Sequence, residues 1–414
     1  MKKEIEKMRK FLLAMIFVLA GTNVFAMTFK TGDDTIDLYG SLRAFSVFNY
    51  TDRGDRVICG GADRNCSQFL IGLQGNSRAG VRWTHGDFFV NNEWGMGGSD
   101  TTPGLSLRLM YGDYKFAGGD SGRIRIGQSA SIAQTYSSYD RKLNADNGLL
   151  GFGAIGEARR AGINYEIGGF SISAISMRQD VSTLTGASGV FTNSGLSNIS
   201  FREIMPRIEA AYSVSSVKIA GSFVNSSVVA DNITYTSEND TEIVIVDERN
   251  TVRNKRYSVN AGHIMFLANP KIGENARLIA SGFYSVNGGI YQMVSIGGGF
   301  SDNEAVGRSV GALPLLKELN GDKITWNNTT VYGGAVAVVV DKFEAGYGIQ
   351  SAANDAWDNN QTGMGIYANY KFRVSNNFRI TPEFAYLHSG NLRGNKDVKD
   401  TRGVQAGVQF RFDI

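Results

Sequence analysis

The sequence has few residues that crosslink or punctuate a fold: among 414 residues there are five prolines, three histidines and two cysteines. Beyond the N-terminal region, the most apolar run is residues 334–340 (GAVAVVV), far short of the roughly 20 residues that a membrane-spanning helix requires. Long helical periodicity is also missing, and residues 313–321 (LPLLKELNG) form one short helical candidate. These absences exclude a bundle of transmembrane helices and disfavour a soluble α/β enzyme.

Groups suited to catalysis are scarce as well. The three histidines are His85, in a predicted turn, and His263 and His388, in predicted strands far apart in sequence. No nucleophile elbow, phosphate loop or metal-ligand cluster accompanies them. A hydrolase would need a carboxylate or a serine beside one of these histidines to supply a general base. The sequence therefore predicts no enzymatic activity, no metal site and no cofactor.

The first 26 residues have the parts of a secretory signal peptide. A basic stretch at residues 7–10 precedes the apolar run of residues 11–21, and Val24 and Ala26 suit a cleavage site. We therefore expect residues 1–26 to be removed, which leaves one domain, residues 27–414. A retained anchor is the alternative, but 11 apolar residues are too few to span a bilayer. The mature chain would carry 37 basic and 37 acidic residues, a balance that argues against nucleic-acid binding.

The two cysteines lie close together in residues 58–67 (ICGGADRNCS). In an exported chain, thiols this near each other usually pair, because the compartment outside the inner membrane is oxidising. We expect Cys59 and Cys66 to form a disulfide within a surface loop. A zinc site is disfavoured, since two sulfurs without a neighbouring histidine fall short of four ligands.

Glycine (51 residues) and aromatic residues (11%) are plentiful, and alternation with a period of two recurs along the chain. In the last segment, every second residue from Val404 to Ile414 is small or apolar, while Gln405, Gln409 and Arg411 face the other way. Such alternation is typical of strands with one apolar and one polar face. The pattern predicts sixteen strands: 35–48, 77–85, 87–97, 105–117, 122–128, 158–166, 169–178, 205–214, 216–229, 254–268, 274–286, 329–340, 342–351, 362–373, 377–389 and 402–413.

The connections between these strands alternate in length. Short ones (HGD, GGDSG, IGG, DK, VSNN) alternate with long ones rich in Asn, Asp, Gly and Ser. An antiparallel meander with tight turns at one end and long loops at the other is the plan of an outer-membrane β-barrel. A secreted β-sandwich or solenoid is the alternative, but sixteen strands would demand a buried face too large for one core. The all-β transmembrane barrel is therefore the predicted fold.

Several segments resemble the general diffusion porins of Gram-negative outer membranes. They are IDLYGSLRAF (36–45), NSRAGVRW (76–83), LMYGDYKFAGGDSGRIRIGQ (109–128), RRAGINYEIGGFSI (159–172) and the final strand. The resemblance implies a homotrimer of sixteen-stranded barrels in lipid and lipopolysaccharide, inserted by the barrel assembly machinery, that lets small hydrophilic solutes diffuse. The chain departs from the family in ending on Ile414 rather than phenylalanine.

The connection over residues 129–157 is longer than compact domains usually carry unless the loop has a function. It follows the fifth predicted strand and is therefore the third long loop. In the family that the chain resembles, this loop folds back into the barrel and narrows the pore. A size argument agrees, because sixteen strands enclose an aqueous channel unless something fills part of it.

Charged residues predict two sides of a pore constriction. The loop side would be acidic: Asp140, Asp146 and Glu157. The wall side would be basic: Arg43, Arg78, Arg82, Arg108 and Arg160. Opposed charges across a narrow aqueous gap would set a transverse field that acts on ions and dipolar solutes.

Two points of this assignment stay open. Alternation places Arg160 towards the lumen, whereas the family spacing to Tyr165 suits Arg159. Arg141 and Lys142 also complicate the sign of the loop charge. The net ion selectivity therefore does not follow from the sequence.

Two other functions compete with general diffusion. A channel specific for a sugar or phosphate is one, and a sugar path would need a track of aromatic residues. The sequence offers Tyr136 and Tyr139 in the loop, with Tyr39 and Phe45 on the first strand. An adhesin or structural barrel whose loops bind partners is the other.

Overall fold

A computed structural model describes most of the chain. The described residues are 27–52, 66–99, 102–116, 121–143, 148–156, 159–176, 199–204, 206–230, 236–237, 243–244, 255–291, 293–296, 310–311, 315–320, 323–354, 360–390 and 401–413. The predicted signal peptide, Cys59, Asp146 and Glu157 lie outside these residues.

Sixteen antiparallel strands form one closed barrel, as the sequence predicts. They are β1 (Asp34–Asp52), β2 (Cys66–Leu73 and Arg78–His85), β3 (Phe88–Ser99), β4 (Thr102–Lys115), β5 (Arg123–Ala130), β6 (Arg159–Ile167), β7 (Phe170–Ile175), β8 (Ile199–Ile204 and Arg207–Val214), β9 (Val217–Ala230), β10 (Lys255–Ala268), β11 (Ala276–Val286), β12 (Thr329–Val340), β13 (Phe343–Asn354), β14 (Gln361–Tyr370, continued by Phe372–Arg373), β15 (Phe378–Ser389) and β16 (Thr401–Asp413). The barrel closes where β16 pairs with β1, from Ser41 opposite Asp413 to Asp52 opposite Arg402. A short N-terminal strand, Met27–Thr31, pairs with the start of β1.

The two faces of each strand meet different surroundings. On β1, Leu42 and Phe48 are exposed on the outside, whereas Arg43, Asn49 and Thr51 are buried on the inside. Alternate side chains point to opposite faces of a strand, so this pattern places an apolar band outside and polar groups in the lumen. Closure leaves no unpaired sheet edge in lipid.

Tight turns join the strands at one end of the barrel. Gly168 and Gly169, between β6 and β7, both have positive φ, which a glycine adopts without steric cost. Ser215 and Asp341 take the same conformation in the two-residue turns after β8 and β12. Long connections lie at the other end, so the predicted meander is confirmed.

Two local expectations need correction, and one wall segment was not predicted. The candidate helix at 313–321 is wrong, because Leu315–Asn320 is a strand paired with Lys323–Asn327. Cys66 begins the wall segment Cys66–Leu73, opposite Thr51, and so does not lie in a surface loop. That segment escaped prediction because its inner face carries Leu70 and Gly72 and shows no clear polar alternation.

Helical structure is sparse in the described part of the chain. Its 3-10 turns include Tyr136–Ser138 and Gly288–Tyr291. Among the described residues, no helix is long and apolar enough to cross a membrane.

Candidate pore constriction

The loop between β5 and β6, which we call the lumen loop (residues 131–158), folds into the barrel as expected. The hydroxyl of Tyr139 lies 2.6 Å from the Ser281 Oγ of β11 and donates to the carbonyl oxygen of Ala335 on β12, 2.8 Å away. Burial raises the pKa of Tyr139 to about 12, against the opposing effect of the bond to Ser281. Like any tyrosine, it is protonated at neutral pH, so its hydroxyl can donate to the Ala335 carbonyl.

Buried glutamates on the wall hold the backbone of the lumen loop. Glu209 on β8 accepts from the Ile132 amide at 2.9 Å. Glu344 on β13 accepts from the Asp140 amide at 2.7 Å. A third glutamate acts near the loop tip, where Glu383 on β15 accepts from the amides of Lys142 and Leu143. Hydrogen bonds to a carboxylate are stronger than neutral ones, so these carboxylates fix the path of the loop.

Small residues on β12 to β14 pack against the turn of the lumen loop. A β-carbon at Gly348 would collide with the carbonyl oxygen of Phe152, and one at Gly363 would lie 2.6 Å from the carbonyl oxygen of Gly151. Gly153 itself has φ +108° and faces Gly334 across the contact. Backbone meets backbone here, which side chains at these positions would prevent.

Apolar contacts add to this packing, and we call the wall surface of β11 to β15 that contacts the lumen loop its seat. Leu149 and Phe152 of the loop form one buried cluster with wall residues Ile279, Ala335, Ala337, Val339, Ala385 and Leu387. β12 is therefore apolar on both faces, since Ala335 meets the loop while Val336 and Val338 are exposed on the outside. This explains why residues 334–340 are the most apolar stretch of the body of the chain, and it is a sequence signal for where the loop lands.

The loop tip meets the wall at a break in β2. Residues 74–77 interrupt that strand, and the Gln74 side chain donates to the carbonyl oxygen of Lys142 at 2.6 Å. Arg141, fully buried, donates to Gln405 on β16 at 2.8 Å and lies 3.7 Å from Glu383. Leu143 packs beside Phe45. The basic residues that complicated the loop charge are thus turned towards the wall.

The predicted loop acids do not form an unopposed acidic side. Asp140 makes ion pairs with Lys142 of the loop and Lys371 after β14. Lys371 also contacts Glu344, at 3.3 Å. Asp146 and Glu157 lie outside the described residues. The described loop acid is therefore flanked by two lysines.

The predicted wall arginines do lie on lumen-facing strands. Arg43 is buried and its Nε donates to Ser41 at 3.1 Å. Arg78 and Arg108 share Glu93, with nitrogen to oxygen distances of 3.7 and 2.9 Å. This part of the wall therefore presents guanidinium groups around a single carboxylate of β3.

The other predicted arginines lie beside this group. Arg82 stacks on the ring of Tyr39, 4.2 Å from its centroid. Arg160 is opposite Ser129 in the register and donates to the carbonyl oxygen of Arg159. The charge of Arg159 lies close enough to Arg108 for the two to interact. Both arginines of this pair thus border the loop entrance.

Below the loop, the lumen carries balanced ion pairs. Arg125 binds Asp113 with two hydrogen bonds of 2.7 and 2.8 Å, and it stacks on Tyr111. Arg123 pairs with Glu166 at 2.6 Å. The side chain of Arg123 is 35% exposed, so water reaches this wall.

A second segment also enters the lumen, which sequence reasoning missed. Ile290, Met293 and Val294, in the connection between β11 and β12, are buried. The Met293 carbonyl accepts from the Gly156 amide at 2.8 Å, and its sulfur lies 2.9 Å from Nη1 of Arg207. This segment therefore braces the end of the lumen loop.

Three of the four aromatic candidates and two of the three histidines make contacts within the fold. Tyr39 is covered by Arg82, and Phe45 and Tyr139 are buried against the loop contacts. His263 lies 2.9 Å from the Ala133 carbonyl, and exposed His85 contacts Asp34. Among the described residues, no three potential metal ligands cluster.

Comparisons with known proteins agree on the fold. No protein-family model matches the chain, and no curated protein matches it in sequence. The outer membrane channel DcaP of Acinetobacter baumannii matches with a TM-score of 0.57 and 13% identity, over 93% of this chain and 99% of that one. The anion-selective porin from Comamonas acidovorans matches with a TM-score of 0.50 and 13% identity, over 92% and 100%. The expected likeness to porins is thus confirmed at the level of the fold.

Proposed function

We propose that the protein is an outer-membrane porin, a water-filled channel through which small hydrophilic solutes and ions diffuse passively. One observation carries this proposal: the lumen loop is seated against the wall of β11 to β15, while the wall of β1 to β6 keeps charged, partly exposed side chains. Arg78 and Arg125 on that wall are 31% and 24% exposed. A lumen lined by hydrated charges lets water and ions pass.

The surroundings of the channel follow from the barrel's outer face. Exposed apolar residues such as Ile71, Leu105 and Ile264 suit contact with lipid or with another barrel. The proposal includes a signal peptide over residues 1–26, as the residues of that segment indicate. It also includes assembly by the barrel machinery into lipid and lipopolysaccharide and a homotrimer, as the porin-like sequence segments imply.

The constriction remains part of the proposal. Its positive side would comprise Arg43, Arg78, Arg82, Arg108 and Arg160, and its loop side Asp140, Asp146 and Glu157. Because Asp140 is paired with two lysines, its contribution to the field would be smaller than that of an isolated carboxylate.

General diffusion fits better than a sugar-specific path. Sugar recognition would need exposed aromatic faces along the lumen, yet Tyr39 is covered and Tyr139 is buried. A non-conducting adhesin would not require charged, hydrated side chains on the inner wall of the barrel. The channel proposal also assigns the protein no enzymatic activity; His263 contacts the Ala133 carbonyl and His85 contacts Asp34.

Planar-bilayer recording of the refolded protein tests the proposal. We expect discrete conductance steps, grouped in threes if the barrels form trimers. Liposome swelling should then show uptake that falls gradually with sugar size. Saturable uptake of one sugar would support the specific channel instead, and a folded barrel without conductance would support the adhesin.

A further inference from the structure

Three arginines lie side by side in the register of the barrel where it closes. Arg379 on β15 is opposite Arg411 on β16, and Arg411 is opposite Arg43 on β1. Residues directly opposite each other on antiparallel strands have β-carbons about 5 Å apart, and like charges so placed destabilise a sheet. Phe412 and Leu42, the next residues along, are exposed on the outside, which places the arginines on the inner face.

The row continues around the lumen. Arg43 lies within electrostatic reach of Arg411, Arg78 and Arg108, and Arg108 within reach of Arg159. A β-carbon at Gly95, which is opposite Arg78, would lie 2.9 Å from the side chain of Arg108. We call these residues the arginine belt: Arg379, Arg411, Arg43, Arg78 and Arg108.

Carboxylates in the belt are shared between arginines. Asp413 binds Arg411 at 2.6 Å and Arg379 at 3.1 Å. Glu93 serves both Arg108 and Arg78. Each group of two guanidinium ions around one carboxylate therefore keeps one excess positive charge.

Among the described residues, the carboxylates on the opposite side of the lumen are bound to other groups. Glu344 and Glu383 bind amides of the lumen loop, and Asp140 is held by Lys142 and Lys371. Lys142 itself lies within electrostatic reach of Arg43 and Arg411. The described carboxylates of the loop side are therefore engaged in contacts of their own.

We propose that the arginine belt is a binding site for small oxyanions that carry two negative charges, so that these solutes cross the channel through a saturable step. This inference rests on the proposed channel function. Guanidinium groups bind carboxylate and phosphate oxygens in a bidentate manner. The side chains of Arg379, Arg78 and Arg411 are 42%, 31% and 22% exposed, so a solute in the lumen can reach them.

The carboxylates shared within the belt favour transfer of an oxyanion over tight capture. A conducting site must bind well enough to attract the ion and weakly enough to release it, and neighbouring sites help the ion to leave. The shared carboxylates Asp413 and Glu93 weaken each individual arginine site. Neighbouring guanidinium groups can then pass an oxyanion from one to the next.

Chloride conductance of the full-length mature protein in planar bilayers, titrated with inorganic phosphate at pH 8 and separately with succinate, tests the belt. We expect each dianion to reduce the chloride current in a saturable way. Arg411→Gln and Arg78→Gln should raise the half-blocking concentration about tenfold, the effect of losing one charge-assisted hydrogen bond. Arg78→Lys keeps the charge but loses the bidentate geometry of the guanidinium group. Its half-blocking concentration should lie between those of the parent and Arg78→Gln.

Arg123→Gln is the matched control, because Arg123 is an arginine of the lumen outside the belt. It should leave the half-blocking concentration unchanged, and heat-modifiable gel mobility should show that every variant is folded. Block by succinate alone would identify carboxylates as the ligand, and block by phosphate alone would identify phosphate. Conductance without saturable block, or an equal shift in Arg123→Gln, would overturn the belt site, whereas absence of any conductance would overturn the channel itself.

Discussion

The inner wall of the barrel has two halves with different surfaces: one packs against the lumen loop, and the other carries charged side chains. From β11 to β15 it has small and apolar residues that hold the lumen loop in direct contact, as at Gly348, Ala335 and Leu387. From β16 through β1 to β6 it carries arginines that share a few carboxylates. The first half therefore fixes the shape of the pore, and the second half supplies most of the charged groups that a solute contacts.

The largest effect should come from removing the loop from its seat. Deletion of residues 140–149 removes the loop tip, including the buried contacts of Leu143 and Leu149. We expect a severalfold rise in conductance and a larger size limit for sugars, because the barrel alone encloses a wide channel. Bilayer recording and liposome swelling measure both quantities. Unchanged conductance in a folded barrel would show that the loop does not restrict the pore.

A smaller change should come from Gly348→Ala, which leaves every charge in place. The added carbon would collide with the Phe152 carbonyl, and overpacking of this kind costs about 1–3 kcal/mol. The loop should shift away from β13, so conductance and size limit should change while ion selectivity does not. Gly282→Ala on β11 is the matched control, because its nearest neighbour there would be 3.7 Å away. Equal conductance and equal size limits in the two variants would contradict the close contact between the lumen loop and β13.

Glu383→Gln tests the glutamate contacts at the loop tip. The amide has one accepting oxygen in place of two, so it keeps the bond from Lys142 or from Leu143 but not both, and it lacks the charge; the contact weakens by about 1–3 kcal/mol. We expect larger current fluctuations at constant mean selectivity. Glu274→Gln, in an exposed turn, should leave the current as quiet as the parent's. Current fluctuations no larger than the parent's in Glu383→Gln would show that the apolar contacts alone hold the loop in place.

The smallest effect should come from Asp140→Asn. Removal of this carboxylate leaves Lys142 and Lys371 without a shared partner, so reversal potentials should move towards anions. Arg82→Gln should move them towards cations. Both shifts should shrink at about 1 M salt, where the Debye length is about 3 Å. Shifts that persist at high salt would point to altered pore shape rather than charge.

Much of the barrel was readable from alternation alone. The sixteen strands, the closing segment up to Asp413 and the loop after β5 all follow from local periodicity, because a strand in a membrane wall must show lipid one face and water the other. The prediction weakened where that contrast disappears, as in Cys66–Leu73, whose inner face is largely apolar. Arg411 was visible on the polar face of its strand, yet its place in a row of arginines was not.

What the tertiary structure decided are the contacts across the lumen. Arg141 bonds to Gln405, 264 residues away, and Glu209 holds Ile132, 77 residues away. The row of Arg379, Arg411 and Arg43 depends on a register that joins the two ends of the chain. Alternation is a property of neighbouring residues, so the sequence by itself determined which face each side chain takes. Register and the path of a loop depend on closure of the whole barrel, which brings distant segments to the same height.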